Sequence, residues 1–420
     1  MWIIVILVFF IIIGMPLAFA LGMPFLTYVT LTDTFIMSII PQRMFSALDS
    51  FPLLAVPLFI FAGGIMGRTT MAEELIDFVS SLVGWLRGGL AQVNIATSMF
   101  FGGISGASAS DIAAFGPVMI PQMKRKGYDA GFSAAVTSSS ATLGIIIPPS
   151  IPMILYAVIS GTSVSRMFIA GIIPAILITI ALSAVSFVIS AKRGYPKEAF
   201  PALKHTLKMF VRTAPVLVIP FIIIGGIILG IVTPTEAAVL AVLVAAFLGI
   251  FYKLRLKDYI ELMYESALTT SVLCLLVATA SLFSWLLAHL RIPENIAMAL
   301  LSISDNPYVI VFFIIIVLII LGTVLVSGPA IILTVPLFLP IIKGIGMDPV
   351  HFGMILIVAL GIGQQTPPIG TALFNTSAIS GLPIEQVSYS VMPFVFSMVA
   401  ILFLIAYIPI ISLWLPNLLL

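Results

Sequence analysis

The chain has 420 residues, 61% apolar and only 8% charged, with mean hydropathy +1.27 and a formal net charge of +2. A soluble domain carries about a quarter charged residues, so a soluble enzyme is excluded, and so small a net charge gives no electrostatic footprint for nucleic acid. The composition is that of an all-α integral membrane protein, because backbone polar groups in lipid must be satisfied internally and the alternation of a membrane β-barrel is absent.

In chain order, apolar stretches read as spans at 1–19, 22–40, 51–66, 130–160, 165–191, 211–232, 236–252, 266–289, 350–380 and 386–413. The first run lacks the basic flank of a signal peptide and reads as a retained span. Two shorter, more polar segments, 70–86 and 293–304, are expected to lie at the membrane interface as arm helices, the first with Glu73, Glu74 and Asp77 exposed. Each precedes an apolar stretch interrupted by Gly, Ser or Pro, at 90–123 and 309–342. Re-entrant helical hairpins fit both, since broken backbone at membrane depth is tolerated where protein or a cavity surrounds it. The lone cysteine, Cys274, reads as a small hydrophobe, and the three histidines have no metal-ligand spacing.

Ten residues recur in order at an offset of 219: Gly103/Gly322, Pro117/Pro336, Pro121/Pro340, Lys124/Lys343, Gly127/Gly346, Asp129/Asp348, Gly144/Gly363, Pro148/Pro367, Pro149/Pro368 and Pro174/Pro393. Gly and Pro set backbone shape, so the duplicated object is a set of turns and breaks. Two halves follow: 1–191, joined by a basic linker at 192–210 to 211–420. Of the 18 Lys and Arg, 14 fall on the linker's side of the membrane and Arg43, Arg166, Arg291 and Lys343 on the other, which makes the linker cytoplasmic. Five spans per half then turn the second half upside down, the inverted repeat of a secondary transporter whose site lies at the broken helices.

The first hairpin tip reads Gly102-Gly103-Ile104-Ser105-Gly106-Ala107-Ser108-Ala109-Ser110-Asp111. Free carbonyls and hydroxyls at a chain reversal suit a small cation, and free amides at a helix start favour an anion. The same small residues also serve helix packing. Pro148-Pro149 and Pro367-Pro368 each remove two amide donors and free carbonyls a turn earlier; a kink satisfied by neighbouring hydroxyls is the plainer alternative. Gln364, Gln365, Thr366, Asn375 and Thr376 add a polar face beside the second break. Glu236 follows Thr233-Pro234-Thr235 and reads as a helix-start carboxylate, whereas Asp111 sits just past the first tip, where it could bias the field toward cations. Lys124-Arg125-Lys126 reads as a topology-setting cluster, with Arg125 reaching a substrate carboxylate as the alternative.

The run Gly14-Met15-Pro16, Gly103-Ile104-Ser105-Gly106, Ile120-Pro121-Gln122-Met123-Lys124, Gly144-Ile145-Ile146-Ile147-Pro148-Pro149, Thr233-Pro234-Thr235-Glu236 and Thr366-Pro367-Pro368-Ile369-Gly370 resembles the large membrane subunit of tripartite ATP-independent periplasmic (TRAP) transporters. Val326 and Gly361 depart from the acidic and polar residues common at those places. The resemblance implies a multi-pass protein of the bacterial inner membrane that is not an enzyme. Its implied activity is sodium-driven uptake of an organic acid, commonly sialic acid or a dicarboxylate, by an elevator mechanism. Its implied partners are a periplasmic substrate-binding protein and a small four-helix membrane subunit. The candidate substrate contacts are Ser105, Ser108, Arg125, Gln364 and Asn375. The candidate sodium ligands, by side chain or carbonyl, are Ser105, Gly106, Thr142, Gly144, Gly322, Thr323, Gly328, Gly363 and Thr366. A divalent-anion/sodium symporter without a binding protein is the alternative within transport, and an ion channel the alternative outside it.

Overall fold

The computed structural model describes residues 2–32, 38–197, 200–303 and 306–420, with 297 and 299–303 as backbone only, and its regular elements are all helical. The opening run is two helices, α1 (Trp2–Ile12) and α2 (Leu17–Thr32). The expected single span over 1–19 is corrected, because Gly14 turns the chain at φ +83 and Pro16 follows. The span expected at 22–40 runs into 33–37, outside the described residues. Then come α3 (Ile39–Leu48) and α4 (Ala55–Gly67), the chain bending by 63° between Leu48 and Phe51, and the amphipathic α5 (Met71–Val83).

The first helix pair is α6 (Gly89–Ser105) and α7 (Ser108–Arg125), followed by a broken segment of α8 (Ala130–Ser140), α9 (Leu143–Ile146) and α10 (Ile151–Ser160), bent by 40°. Long helices follow: α11 (Val164–Arg193), α12 (Leu203–Ile228), α13 (Pro234–Phe251) and α14 (Leu256–His289). Next are α15 (Ile292–Ile303), the second pair α16 (Pro307–Val324) and α17 (Ser327–Gly344), and the broken α18 (Pro349–Gly363) and α19 (Thr371–Ser380). The chain closes with α20 (Ile384–Tyr407) and α21 (Ile410–Leu419), so the last expected span ends at Tyr407 rather than 413. Among the described residues seven helices are long and apolar enough to cross a membrane, or nine counting each bent pair as one, against the ten spans expected.

Local chemistry explains the boundaries. Asp129 caps α8 by accepting from the Phe132 amide at 2.9 Å, and Asp348 caps α18 by accepting from the Val350 amide at 2.7 Å. Gly127 and Gly346, just before these caps, take φ +86 and +78. Glu236 is exposed and completes a capping box with Thr233, whose amide donates to its carboxylate at 2.7 Å. Pro148-Pro149 and Pro367-Pro368 are both cis.

Two packing groups stand out, joined to each other where α5 and α4 pack on α6 and α14 packs on α17. Helices α2, α3 and α4 pack on α14, α4 also packs on α13, and α12 joins α13 to α5. In the other group α8 packs on α20, α7 on α19, α10 on α17, and α16 on α18. Glu74 corrects the expected exposure of α5: Glu73 and Asp77 are exposed, but Glu74 is buried. Its carboxylate accepts from Arg212 Nε at 3.0 Å and from the Tyr252 hydroxyl, and its backbone carbonyl accepts from Thr213 Oγ1 at 3.0 Å. Placed on the face that packs on α12, it would otherwise be a buried uncompensated charge.

Candidate functional site

Helix α6 stops where Gly106 adopts φ +62 and Ala107 is extended. The turn packs on the first break without spare room: a Cβ on Gly102 would lie 2.8 Å from the Gly144 Cα. The Gly106 carbonyl accepts from the Ile151 amide at 3.3 Å. The second turn meets its own break in the same manner. A Cβ on Gly322 would lie 2.7 Å from the Leu360 carbonyl oxygen, and the Thr323 carbonyl accepts from the Gly370 amide at 2.9 Å. Ser105, Gly106 and Gly144 are therefore gathered at one junction, and Gly322, Thr323 and Gly363 at another. Thr366 and Thr323 donate their hydroxyls to carbonyls of their own helices, those of Ile362 and Ile320, each at 2.8 Å. Thr142 instead faces the second half, where it accepts from Gln365 Nε2 at 3.1 Å. Gly328 lies apart from the Gly322–Gly363 contact, in the first turn of α17.

The breaks are linked across the halves by side chains. Ser108 Oγ donates to Gln364 Oε1 at 2.9 Å. Gln365 is saturated: its Oε1 accepts from Ser138 Oγ at 2.5 Å, and its Nε2 also donates to the Ser138 carbonyl at 2.7 Å. Three buried polar atoms nearby have no partner among the described residues: Ser105 Oγ, Gln364 Nε2 and Asp111 Oδ1. Two of these groups can donate to a carboxylate and the third can accept only from a donor or a cation. Asp111 is buried near Ser98, toward the α6–α8 interior, where Ser98 Oγ donates to Ser140 Oγ at 3.0 Å and Asn94 Nδ2 to Thr137 Oγ1 at 2.7 Å.

The two turns face one cavity of about 520 Å³. Ser105, Ser108 and Ser110 line it from the first turn, and Val326, Ser327 and Gly328 from the second. Its opposite wall is α4 and α14, with Arg68 and Glu265 at its edge. Arg68 is held there by Glu261 at 2.7 Å and Glu265 at 2.6 Å. This α4–α14 wall was missed by sequence reasoning; the Glu261/Glu265 spacing inside an apolar helix was the available sign.

Arg125 and Asn375 are not brought to the cavity. Arg125 is exposed in the last turn of α7, at the far end from Ser108, and Asn375 is half-buried on α19. Neither lines the cavity, and Gln364 is connected to it only through its bond to Ser108.

Comparison with known proteins follows the same outline. Residues 3–411 match the family model described as the tripartite ATP-independent periplasmic transporter, DctM component. The sialic acid TRAP transporter large permease protein SiaM of Vibrio cholerae is 37% identical over 407 residues, covering 96% of this chain and 95% of its own. The C4-dicarboxylate TRAP transporter large permease protein DctM of Pseudomonas aeruginosa is 36% identical over 377 residues, covering 89% of this chain and 88% of its own. Among solved structures, the YdaH transporter of Alcanivorax borkumensis, described as having an unusual topology, is similar in fold with a TM-score of 0.62 at 14% identity, over 90% of this chain and 88% of that one.

Proposed function

This chain belongs to the DctM component family of tripartite ATP-independent periplasmic transporters, and from that premise we propose that it carries an organic acid across the bacterial inner membrane, coupled to sodium. It receives the acid from a periplasmic binding protein and works beside a small four-helix membrane subunit. Sialic acid and C4-dicarboxylates are the substrate classes suggested by its relatives. The observation that carries the reading is the convergence of both helix turns on one cavity lined by the unpartnered hydroxyl of Ser105, with the unpartnered Gln364 Nε2 behind Ser108. Burying a donor without a partner costs about 1–3 kcal/mol, which a bound carboxylate would recover.

Sodium, as co-substrate, fits the two junctions where turn and break meet, using the hydroxyl of Ser105 or Thr366 with carbonyls freed at the breaks. A potential of 100 mV contributes about 2.3 kcal/mol per charge moved. We read α6–α7 and α16–α17 as hairpins of two inverted repeats, 1–191 and 211–420, joined by the 192–210 linker. The group containing them slides as an elevator against the α2–α4 and α12–α14 scaffold. The boundary between the two packing groups supports this, because the cavity lies on it. By the charge asymmetry, the Arg68 end of the cavity faces the cytoplasm.

The test is uptake into proteoliposomes holding both membrane subunits, with the binding protein, N-acetylneuraminate or succinate, and an imposed sodium gradient. Saturable, sodium-dependent uptake is expected, and Ser105→Ala or Thr366→Ala should raise the half-saturating sodium concentration about fivefold or more. Uptake indifferent to sodium would reject the coupling, and non-saturable ion flux would indicate a channel.

A further inference from the structure

Helix α14 presents one continuous face to two separate cavities. Ser266, Thr269 and Leu273 line the central cavity; Val277, Ala280 and Ser284, continuing at steps of three and four, line a second of about 410 Å³. The second helix turn meets this face at Leu273, where a Cβ on Gly328 would lie 3.4 Å from Leu273 Cδ2. The second cavity is closed by Arg43 of α3 on one side and by Val158 and Pro336 on the other, so its walls come from both packing groups.

Arg43 is exposed and, among the described residues, is left without a counter-charge. Its guanidinium carbon lies 5.9 Å from the centroid of the Trp285 ring, and its backbone carbonyl accepts from Ser281 Oγ at 3.1 Å. Among the described residues it has no carboxylate partner, in contrast to Arg68, which holds two. A planar guanidinium braced on an aromatic face is shaped for a carboxylate. The cavity lies within the usual range for a small-molecule site. Arg43 also belongs to the four basic residues that the charge asymmetry places outside the cytoplasm.

We propose that this second cavity binds the carboxylate of a small organic anion, with Arg43 as its ligand and Trp285 as the platform that orients Arg43. It is the extracytoplasmic receiving site from which the acid passes along the α14 face to the central cavity. This role in a path rests on the transport reading, but the binding itself does not.

The test titrates the purified full chain in nanodiscs with succinate and, separately, N-acetylneuraminate, following tryptophan fluorescence and heat. The expected result is saturable binding of at least one acid, weakened tenfold or more by Arg43→Gln and partly restored by Arg43→Lys. Uptake by the Arg43→Gln transporter should show a KM raised about tenfold with kcat within twofold. Titration curves identical for wild type and Arg43→Gln overturn the proposal, as does a wild type that binds neither acid. An effect of Arg43→Gln confined to affinity for the binding protein would make the arginine a docking residue and likewise overturn it. Failure of wild-type uptake with Arg43-dependent binding intact would reject the transport reading and keep the site.

Discussion

Ser108 Oγ donates to Gln364 Oε1 at 2.9 Å, joining residues 256 positions apart at the point where the first helix turn meets the second broken segment. The bond orients the Gln364 amide and, among the described residues, leaves its Nε2 buried without a partner behind the cavity-lining Ser108. Gln364→Ala should therefore raise the KM for the organic acid about tenfold, since a charge-assisted hydrogen bond contributes about 1.5–3 kcal/mol. The thermal midpoint should hardly move. Initial-rate uptake and a thermal unfolding scan on the same preparation separate the two effects.

Gln365 should behave in the opposite way. Its three hydrogen bonds to Ser138 and Thr142 are internal, so none is available for a ligand. Gln365→Ala is expected to cost about 1–3 kcal/mol in stability, from bonds worth about 1 kcal/mol each and a small cavity. Thermal unfolding in detergent measures it, and any uptake that survives should keep a KM within twofold of wild type.

Gly363 has no room for a side chain, because a Cβ there would lie 2.5 Å from the Ile319 carbonyl oxygen and 2.6 Å from the Gly322 Cα. Both neighbours are backbone and cannot rotate away. Gly363→Ala should reduce uptake more than tenfold by prising the second turn from its break. Gly225→Ala, where nothing lies within 4 Å, is the matched control and should be silent.

Glu74 fixes α5 to α12 and to Tyr252 just beyond α13. Glu74→Ala should lower stability by about 1–2 kcal/mol, less than a fully buried pair would give because Arg212 is half exposed. Burial, and then the Glu74 carboxylate, push the Tyr252 phenol above its ordinary value of 10.0. The stability from this bond is thus fully present below pH 10 and lost only as the pH rises through the elevated value. Comparing wild type with Tyr252→Phe in thermal unfolding between pH 7 and 10 should give a constant difference.

Much of the architecture was legible because it is written in backbone-setting residues. The Pro and Gly register located both turns and both breaks to within a few residues. Asp129, Asp348 and the Thr233–Glu236 box cap their helices by local rules that need no tertiary partner. The side-chain roles were less legible. Ser105 and Ser108 line the cavity and Gln364 bonds to Ser108, whereas Arg125 and Asn375 lie away from the cavity, and the opposing wall of Arg68 and α14 had not been anticipated. Glu74 was misread because one amphipathic helix viewed alone does not say which neighbour covers its edge.

The sequence by itself determined a multi-pass helical membrane protein with two helix pairs, each followed by a broken segment. Apolar length and the φ limits of Gly and Pro act within one segment, whatever surrounds it. Only the tertiary structure decided which polar atoms are paired, which are left over, and that both turns open onto one cavity. Hydrogen-bond satisfaction and enclosed space depend on residues hundreds of positions apart, and packing alone brings those into contact.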